Sequence, residues 1–152
     1  MSYQNTSVPV NRSQEYIRKL LLRRGGGAVA FISDPPNEGF EAKVPIDGII
    51  YRIRMTAEAK PSPKKSRYHR GRYLAATDGI EASERQIWRV IYYHLKSVFD
   101  SAESGVMEFR EMMLPYIVTA DGKTVAEHII PKLDSAIQSN PGRLLPAAKD
   151  YP

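Results

Sequence analysis

The chain has 152 residues, 42% of them hydrophobic, enough for one domain to bury a core without covalent staples. It has no cysteine, which excludes a disulfide framework, a thiolate metal site and a thiol nucleophile, and which fits a reducing cytoplasm. Its 22 Lys and Arg outnumber its 17 Asp and Glu, which makes nucleic acid or an anionic membrane surface the natural charged partner, while no apolar run approaches the ~20 residues of a bilayer span; of the two, nucleic acid is the expected one.

In chain order, residues 1–11 are polar and aperiodic and read as a loose leader without a signal-peptide pattern. Asn11 or Ser13 can cap a helix carrying Tyr16, Ile17, Leu20 and Leu21, ended by Gly25, Gly26 and Gly27. An antiparallel meander follows. Ala28–Ile32 is a short strand, and Asp34, Pro35, Pro36, Asn37 and Gly39 supply turn chemistry. From Phe40 to Ile46 the apolar side chains alternate, and Asp47-Gly48 is the preferred dipeptide of a two-residue type I′ hairpin. Folding the chain there pairs Ile46 with Ile49, Val44 with Tyr51, Ala42 with Ile53 and Phe40 with Met55, all on one face. The other face pairs Glu41 with Arg54 and Lys43 with Arg52.

Residues 57–77 have no period and are interrupted by Pro61, Pro63 and Gly71, as expected of a flexible loop or arm, with a short strand near Arg72–Ala75. The long helix over 80–103 carries Ile87, Val90, Ile91, Leu95, Val98, Phe99 and Ala102 as its apolar stripe, flanked by Trp88 and Tyr92. Arg85, Arg89, Tyr93 and Lys96 fall opposite. A short helix over 106–113 precedes Pro115. Thr124 with Glu127 forms a capping box for a last helix carrying Val125, Ile129, Ile130, Leu133 and Ile137, with a possible bend at Pro131. Residues 140–152 read as an irregular tail. The expected architecture is a single α+β domain. A three- or four-stranded antiparallel meander packs on one long helix, with smaller helices towards both ends.

The positive excess is local. Residues 60–73 hold Lys60, Lys64, Lys65, Arg67, Arg70 and Arg72 and no acid, and without those six the remaining 16 cations nearly balance the 17 acids. Tyr68, His69 and Tyr73 are interleaved, the combination that neutralises phosphates and stacks on exposed bases. The expected ligand is nucleic acid, DNA ahead of RNA. Lys43, Arg52 and Arg54 on the hairpin and Arg85, Arg89 and Lys96 on the long helix are candidate extensions of the surface. The same charge run also fits a solvated loop that only aids solubility.

Other motifs point elsewhere. Asp34 with Glu41 and Lys43 has the residue types of a Mg²⁺-dependent nuclease, with carboxylates for the metal and a lysine for the attacking water. Gly122-Lys123-Thr124 resembles the end of a phosphate loop, but Ile117 stands where the first glycine is required. The spacing of His69, His94 and His128 matches no metal motif. Met107, Met112 and Met113 beside Phe109 suit a core. No cofactor is expected.

Gly27-Ala28-Val29-Ala30-Phe31, Glu84-Arg85-Gln86-Ile87-Trp88-Arg89, Met113-Leu114-Pro115-Tyr116 and Asp121-Gly122-Lys123-Thr124 occur in that order. On these segments, about a quarter of the chain, the sequence resembles a family of small uncharacterised proteins encoded by bacterial phages and integrated mobile elements. The resemblance implies such an origin and a compact α+β domain, and it carries no catalytic residues across. The leading expectation is a phage or mobile-element protein that binds nucleic acid, single-stranded DNA in replication or recombination for instance. Its alternatives are a non-catalytic accessory factor for a host protein complex and the nuclease.

Overall fold

Asp47-Gly48 sets the frame of the fold. In the computed structural model, which describes residues 6–34, 36–59, 68–69, 72–73 and 78–140, these two residues have φ of 50° and 78°, the left-handed pair that a type I′ turn needs. The turn joins β2 (Asn37–Ile46) to β3 (Ile49–Glu58), with Ile46 opposite Ile49, Val44 opposite Tyr51, Ala42 opposite Ile53 and Phe40 opposite Met55, the register expected from the sequence. β1 (Val29–Asp34) pairs antiparallel with β2 on its other side and completes a β1-β2-β3 meander.

Parity divides the sheet. Phe40, Ala42, Val44, Ile46, Ile53 and Met55 line one face and are buried. Helices α1 (Val10–Arg23) and α2 (Asp78–Glu103) cover that face. From α1 come Ile17, Leu20 and Leu21, and from α2 come Trp88, Ile91, Leu95, Val98 and Phe99. The inward stripe of α2 therefore runs through Trp88, whereas Val90 points outward and is exposed, the reverse of the expected assignment. The indole wins because it packs edge-on against Phe31 at 5.6 Å and because its N–H has an acceptor waiting.

That acceptor is Glu38. β2 starts earlier than expected, at Asn37, so Glu38 shares the parity of Phe40 and is carried into the core at 2% exposure. Its carboxyl group accepts from Trp88 Nε1 at 2.9 Å and from Ser33 Oγ at 3.0 Å, which meets the requirement that a buried polar group be bonded. Next to it, Gly39 permits a close approach of β2 to β3. A Cβ there would lie 2.0 Å from the Met55 carbonyl oxygen and 2.8 Å from Thr56 Cα.

α1 follows Pro9 and begins inside the stretch read as a leader; neither Asn11 nor Ser13 caps it, and Ser13 is buried between the helices' inward faces. Its end is closed by the Gly26 N–H reaching back to the Leu21 carbonyl at 2.9 Å. α3 (Phe109–Met113) plugs one end of the core with Phe109 and Met113, while Met107 is exposed rather than packed. Phe109 meets Phe99 at 5.3 Å and lies under the Arg24 guanidinium at 4.3 Å. After a 3₁₀ turn (Leu114–Tyr116), the chain adds to the free edge of β3. Ile117 bridges Ile53, and the Val118 N–H donates to the Arg52 carbonyl at 2.8 Å. A tight turn over 119–123 then leads into α4 (Val125–Ser139). Its capping box is complete, with the Glu127 N–H donating to Thr124 Oγ1 and the Thr124 N–H to Glu127 Oε2.

Candidate nucleic-acid interface

Of the basic segment, Lys60, Lys64, Lys65, Arg67 and Arg70 lie outside the described residues. Two short strands bracket Arg70, β4 (Tyr68–His69) and β5 (Arg72–Tyr73), with Tyr68 opposite Tyr73 and His69 opposite Arg72. The chain reaches α2 five residues later, at Asp78.

The outward side of α2 carries Arg85, Arg89 and Tyr93, at helical spacing of four, and α1 lies beside it. The two helices bring together a cluster that neither shows alone. Tyr16 of α1 stacks tilted on Tyr92 of α2 at 5.3 Å, and Tyr92 meets Tyr93 at 4.9 Å. The Arg89 guanidinium lies 6.0, 5.5 and 5.0 Å from the centroids of Tyr16, Tyr92 and Tyr93 and donates to the Tyr93 hydroxyl at 3.4 Å. Arg12 of α1 reaches the same cluster, donating from Nε to the Tyr16 hydroxyl at 2.9 Å. Arg85 extends it towards the N-terminal residues, donating to the Thr6 carbonyl at 3.4 Å. Guanidinium groups over aromatic faces are partly held by the ring quadrupole, which fixes their direction without spending their charge. Lys96, further along α2, is tied to Asp100 at 2.5 Å, and that carboxylate raises the pKa of its ammonium.

Lys43, Arg52 and Arg54 do not join this surface. They lie on the face of the sheet turned away from α1 and α2, so the core separates the two groups. Glu41 sits among them and bonds both arginines, Arg52 in a bidentate grip and Arg54 at 3.1 Å. The hydrogen bond from Arg52, helped by that from Arg54, holds the Glu41 carboxyl below its usual pKa. Arg54 also donates to the Gly122 carbonyl at 2.9 Å, which anchors the turn before α4. The guanidinium charge here is largely spent within the protein.

The same geometry bears on the nuclease constellation. Asp34 pairs with Asn37, whereas Glu41 pairs with Ala30, so the two acids are four registers apart along the strands, roughly 13 Å at ~3.3 Å per residue. Glu41 is committed to two arginines, and among the described residues no group of three acids or histidines is placed to hold a metal. Asp34, Glu41 and Lys43 are not brought together as a metal centre.

A second polar cluster closes the turn ahead of α4. Asp121 accepts from Thr119 Oγ1 at 2.5 Å and from the Lys123 N–H at 3.1 Å, and it lies 2.9 Å from His128 Nε2. The Thr119 hydroxyl, then the backbone amide, then His128 hold the Asp121 carboxyl well below the usual range. These bonds close the turn and tie it to His128 in the first turns of α4, so the cluster acts as a latch between the two. His94, with its Nε2 2.9 Å from the Tyr116 hydroxyl, is likewise engaged in packing.

Sequence reading finds Arg85, Arg89 and Tyr93 but not Tyr16, Tyr92 or Arg12, because the two tyrosines read with the apolar stripes of their helices and Arg12 has no role there by itself. The signal was present as Arg-x-x-x-Tyr on each helix, at 12 and 16 and at 89 and 93. No family model, curated protein or solved structure matches the chain. Among the described residues, no helix is long and apolar enough to cross a membrane.

Proposed function

We infer that the protein binds nucleic acid through the basic segment over 60–73 together with the flank of α1 and α2 that carries Arg12, Arg85 and Arg89. What supports the reading is one juxtaposition. In sequence, the acid-free run that holds the chain's excess charge precedes the helix whose flank towards α1 carries the half-buried Arg85 and Arg89, with Arg12 and three clustered tyrosines beside them. Lys60, Lys64, Lys65, Arg67, Arg70 and Arg72 hold phosphates in this reading, and Tyr68 and Tyr73 stack on bases. The cations of the outer sheet face, Lys43, Arg52 and Arg54, have no part in it. DNA is the expected polymer and single strands the expected form, since duplex bases offer no free faces to tyrosine. The resemblance to small phage and mobile-element proteins fits a cytoplasmic role in replication or recombination.

Fluorescence anisotropy with single-stranded DNA, duplex DNA and RNA oligonucleotides tests it. Six phosphate contacts on a single strand give a slope of about −4 in log K against log salt, a loss of several-hundred-fold between ~50 and ~200 mM. Neutralising the six cations of 60–73 should remove most of that slope, and Arg85→Ala with Arg89→Ala should weaken binding further. Absence of affinity at low salt, or an unchanged slope in the neutralised chain, overturns the reading.

A further inference from the structure

We propose that the open edge of β1, bordered by α1, takes an extended acidic peptide as an added antiparallel strand. The Lys43 N–H donates to the Ala28 carbonyl at 3.4 Å, so the bonds between β1 and β2 fall on the even-numbered residues of β1. The N–H and C=O groups of Val29, Phe31 and Ser33 therefore point away from the sheet. β1 is bonded only to β2, and among the described residues these six groups have no partner. The opposite edge differs, because Ile117 and Val118 lie along β3. Exposed edges are normally blunted by lysine or proline. β1 reads Val-Ala-Phe-Ile-Ser-Asp, with neither, and its one charge, Asp34, stands at its end. Such a row of donors and acceptors is matched by another extended backbone.

The chemistry beside the edge selects the occupant. Phe31 turns its half-buried side chain to the helical side of the sheet, and there a groove of about 640 Å³ opens between it and α1. Asn11, Arg12, Gln14 and Arg18 line it, and the Arg18 guanidinium lies 5.1 Å from the centroid of the Phe31 ring. Of the described residues in that lining Glu15 is the one acid, and Arg18 holds it at 3.3 Å. α1 has no side-chain cap and no acid in its first turn, so its positive end adds to the field over the groove. A side chain that enters from an added strand thus meets net positive charge, amide donors and one aromatic face. Glutamate fits, with its methylenes against Phe31 and its carboxylate towards the arginines. On the outer side the strand runs beside Ala30 and Ile32, which suit a β-branched apolar residue. The pattern recognised is glutamate alternating with valine or isoleucine. A second copy's β1 offers no glutamate, since on that face it carries Val29, Phe31 and Ser33, and it brings another positive wall with it. Arg12 is shared with the nucleic-acid surface, whereas Arg18, Phe31 and Ser33 are not.

Fluorescence anisotropy of the full chain with a labelled peptide Thr-Val-Glu-Val-Glu-Val-Glu-Val-Thr, blocked at both ends, tests this at low salt. The wild type should bind it, and the same peptide with lysine for glutamate should bind about tenfold more weakly or worse. In the antiparallel arrangement the glutamates lie opposite Val29, Phe31 and Ser33 and bond with them. N-methylation of the three glutamates should therefore abolish binding. N-methylation of the two valines between them, whose amides point away, should leave it within about threefold. Arg18→Glu should weaken binding about tenfold. Ser33→Pro removes an outward N–H without removing a backbone bond to β2, and should weaken binding likewise while leaving affinity for single-stranded DNA unchanged. Circular dichroism checks that both variants fold, and the methylated peptides carry the test on unaltered protein. No affinity for the glutamate peptide, equal affinity for the lysine peptide, or indifference to methylation of the glutamates overturns the proposal. A wild-type dimer that Ser33→Pro dissolves overturns it as well, since a second copy then fills the edge, and so does an oligonucleotide whose binding Ser33→Pro abolishes.

Discussion

Replacing Glu38 by Ala removes an acidic side chain buried at 2% exposure and leaves the Trp88 N–H, itself fully buried, with no acceptor. An orphaned buried donor costs about 1–3 kcal/mol. The lost methylene adds roughly 0.8 kcal/mol of burial. The Ser33 hydroxyl contributes little, because Ser33 is exposed and water replaces its partner. The sum is about 3 kcal/mol, a sizeable part of the ~5–15 kcal/mol that holds a domain together, and it corresponds to a Tm drop of roughly 6–12 °C. Urea unfolding followed by far-ultraviolet circular dichroism measures it in the wild type, Glu38→Ala, Trp88→Phe and the double variant. If the carboxyl–indole bond matters as argued, the double variant should cost about 1.5 kcal/mol or more less than the sum of the singles. Glu38→Gln, which keeps an acceptor oxygen, should recover most of the loss. Additivity within ~0.5 kcal/mol would refute the coupling, since independent sites add to that precision.

Gly39→Ala should destabilise by about 2 kcal/mol or more in the same assay, because the new methyl meets rigid backbone of β3, whereas Gly27→Ala, with nothing within 4 Å, should fall within ~0.5 kcal/mol. Thr124→Ala removes the hydroxyl that accepts from the Glu127 N–H, the side-chain half of the capping box, and should cost α4 about 1 kcal/mol. Since α4 is not part of the core, this loss should appear as faster amide exchange over 125–139 and not as a lower global Tm. Acid should expose the Glu41 cluster. Its folded pKa lies below the unfolded value near 4.5, so its contribution is complete above pH 4.5 and disappears as pH falls through the folded value. The wild type should therefore lose stability below pH 4.5 faster than Glu41→Gln, by no more than about 1 kcal/mol for so exposed a cluster. Equal pH profiles in the two proteins would contradict this.

Where local rules agree with one another, the chain announces its structure. Asp47-Gly48 and the alternation on both sides of it define every pair of β2 and β3, because a shift of one residue would turn Phe40, Val44 and Ile53 out to water. Thr124 and Glu127 likewise mark the start of α4. Glu38 was hidden by its neighbours, since Pro35, Pro36, Asn37 and Gly39 all read as turn and a carboxyl is not expected inside. The place of Trp88 depends on that carboxyl and was hidden with it. The stripe of α4 is legible as a stripe, but periodicity gives only the apolar face and not the body that covers it. The tyrosine–arginine cluster needs two helices to be adjacent, a fact of packing that no single-helix pattern contains.

Trp88 is the only tryptophan of the chain, and it is sealed against Phe31 and Glu38 beneath the sheet's inner face. Its emission is therefore a private signal of the interior, set by the integrity of the fold and blind to events on the rim. The tyrosines at 16, 92 and 93 stand on that rim. Excitation at the red edge, where tyrosine does not absorb, thus follows the integrity of the fold with no label attached.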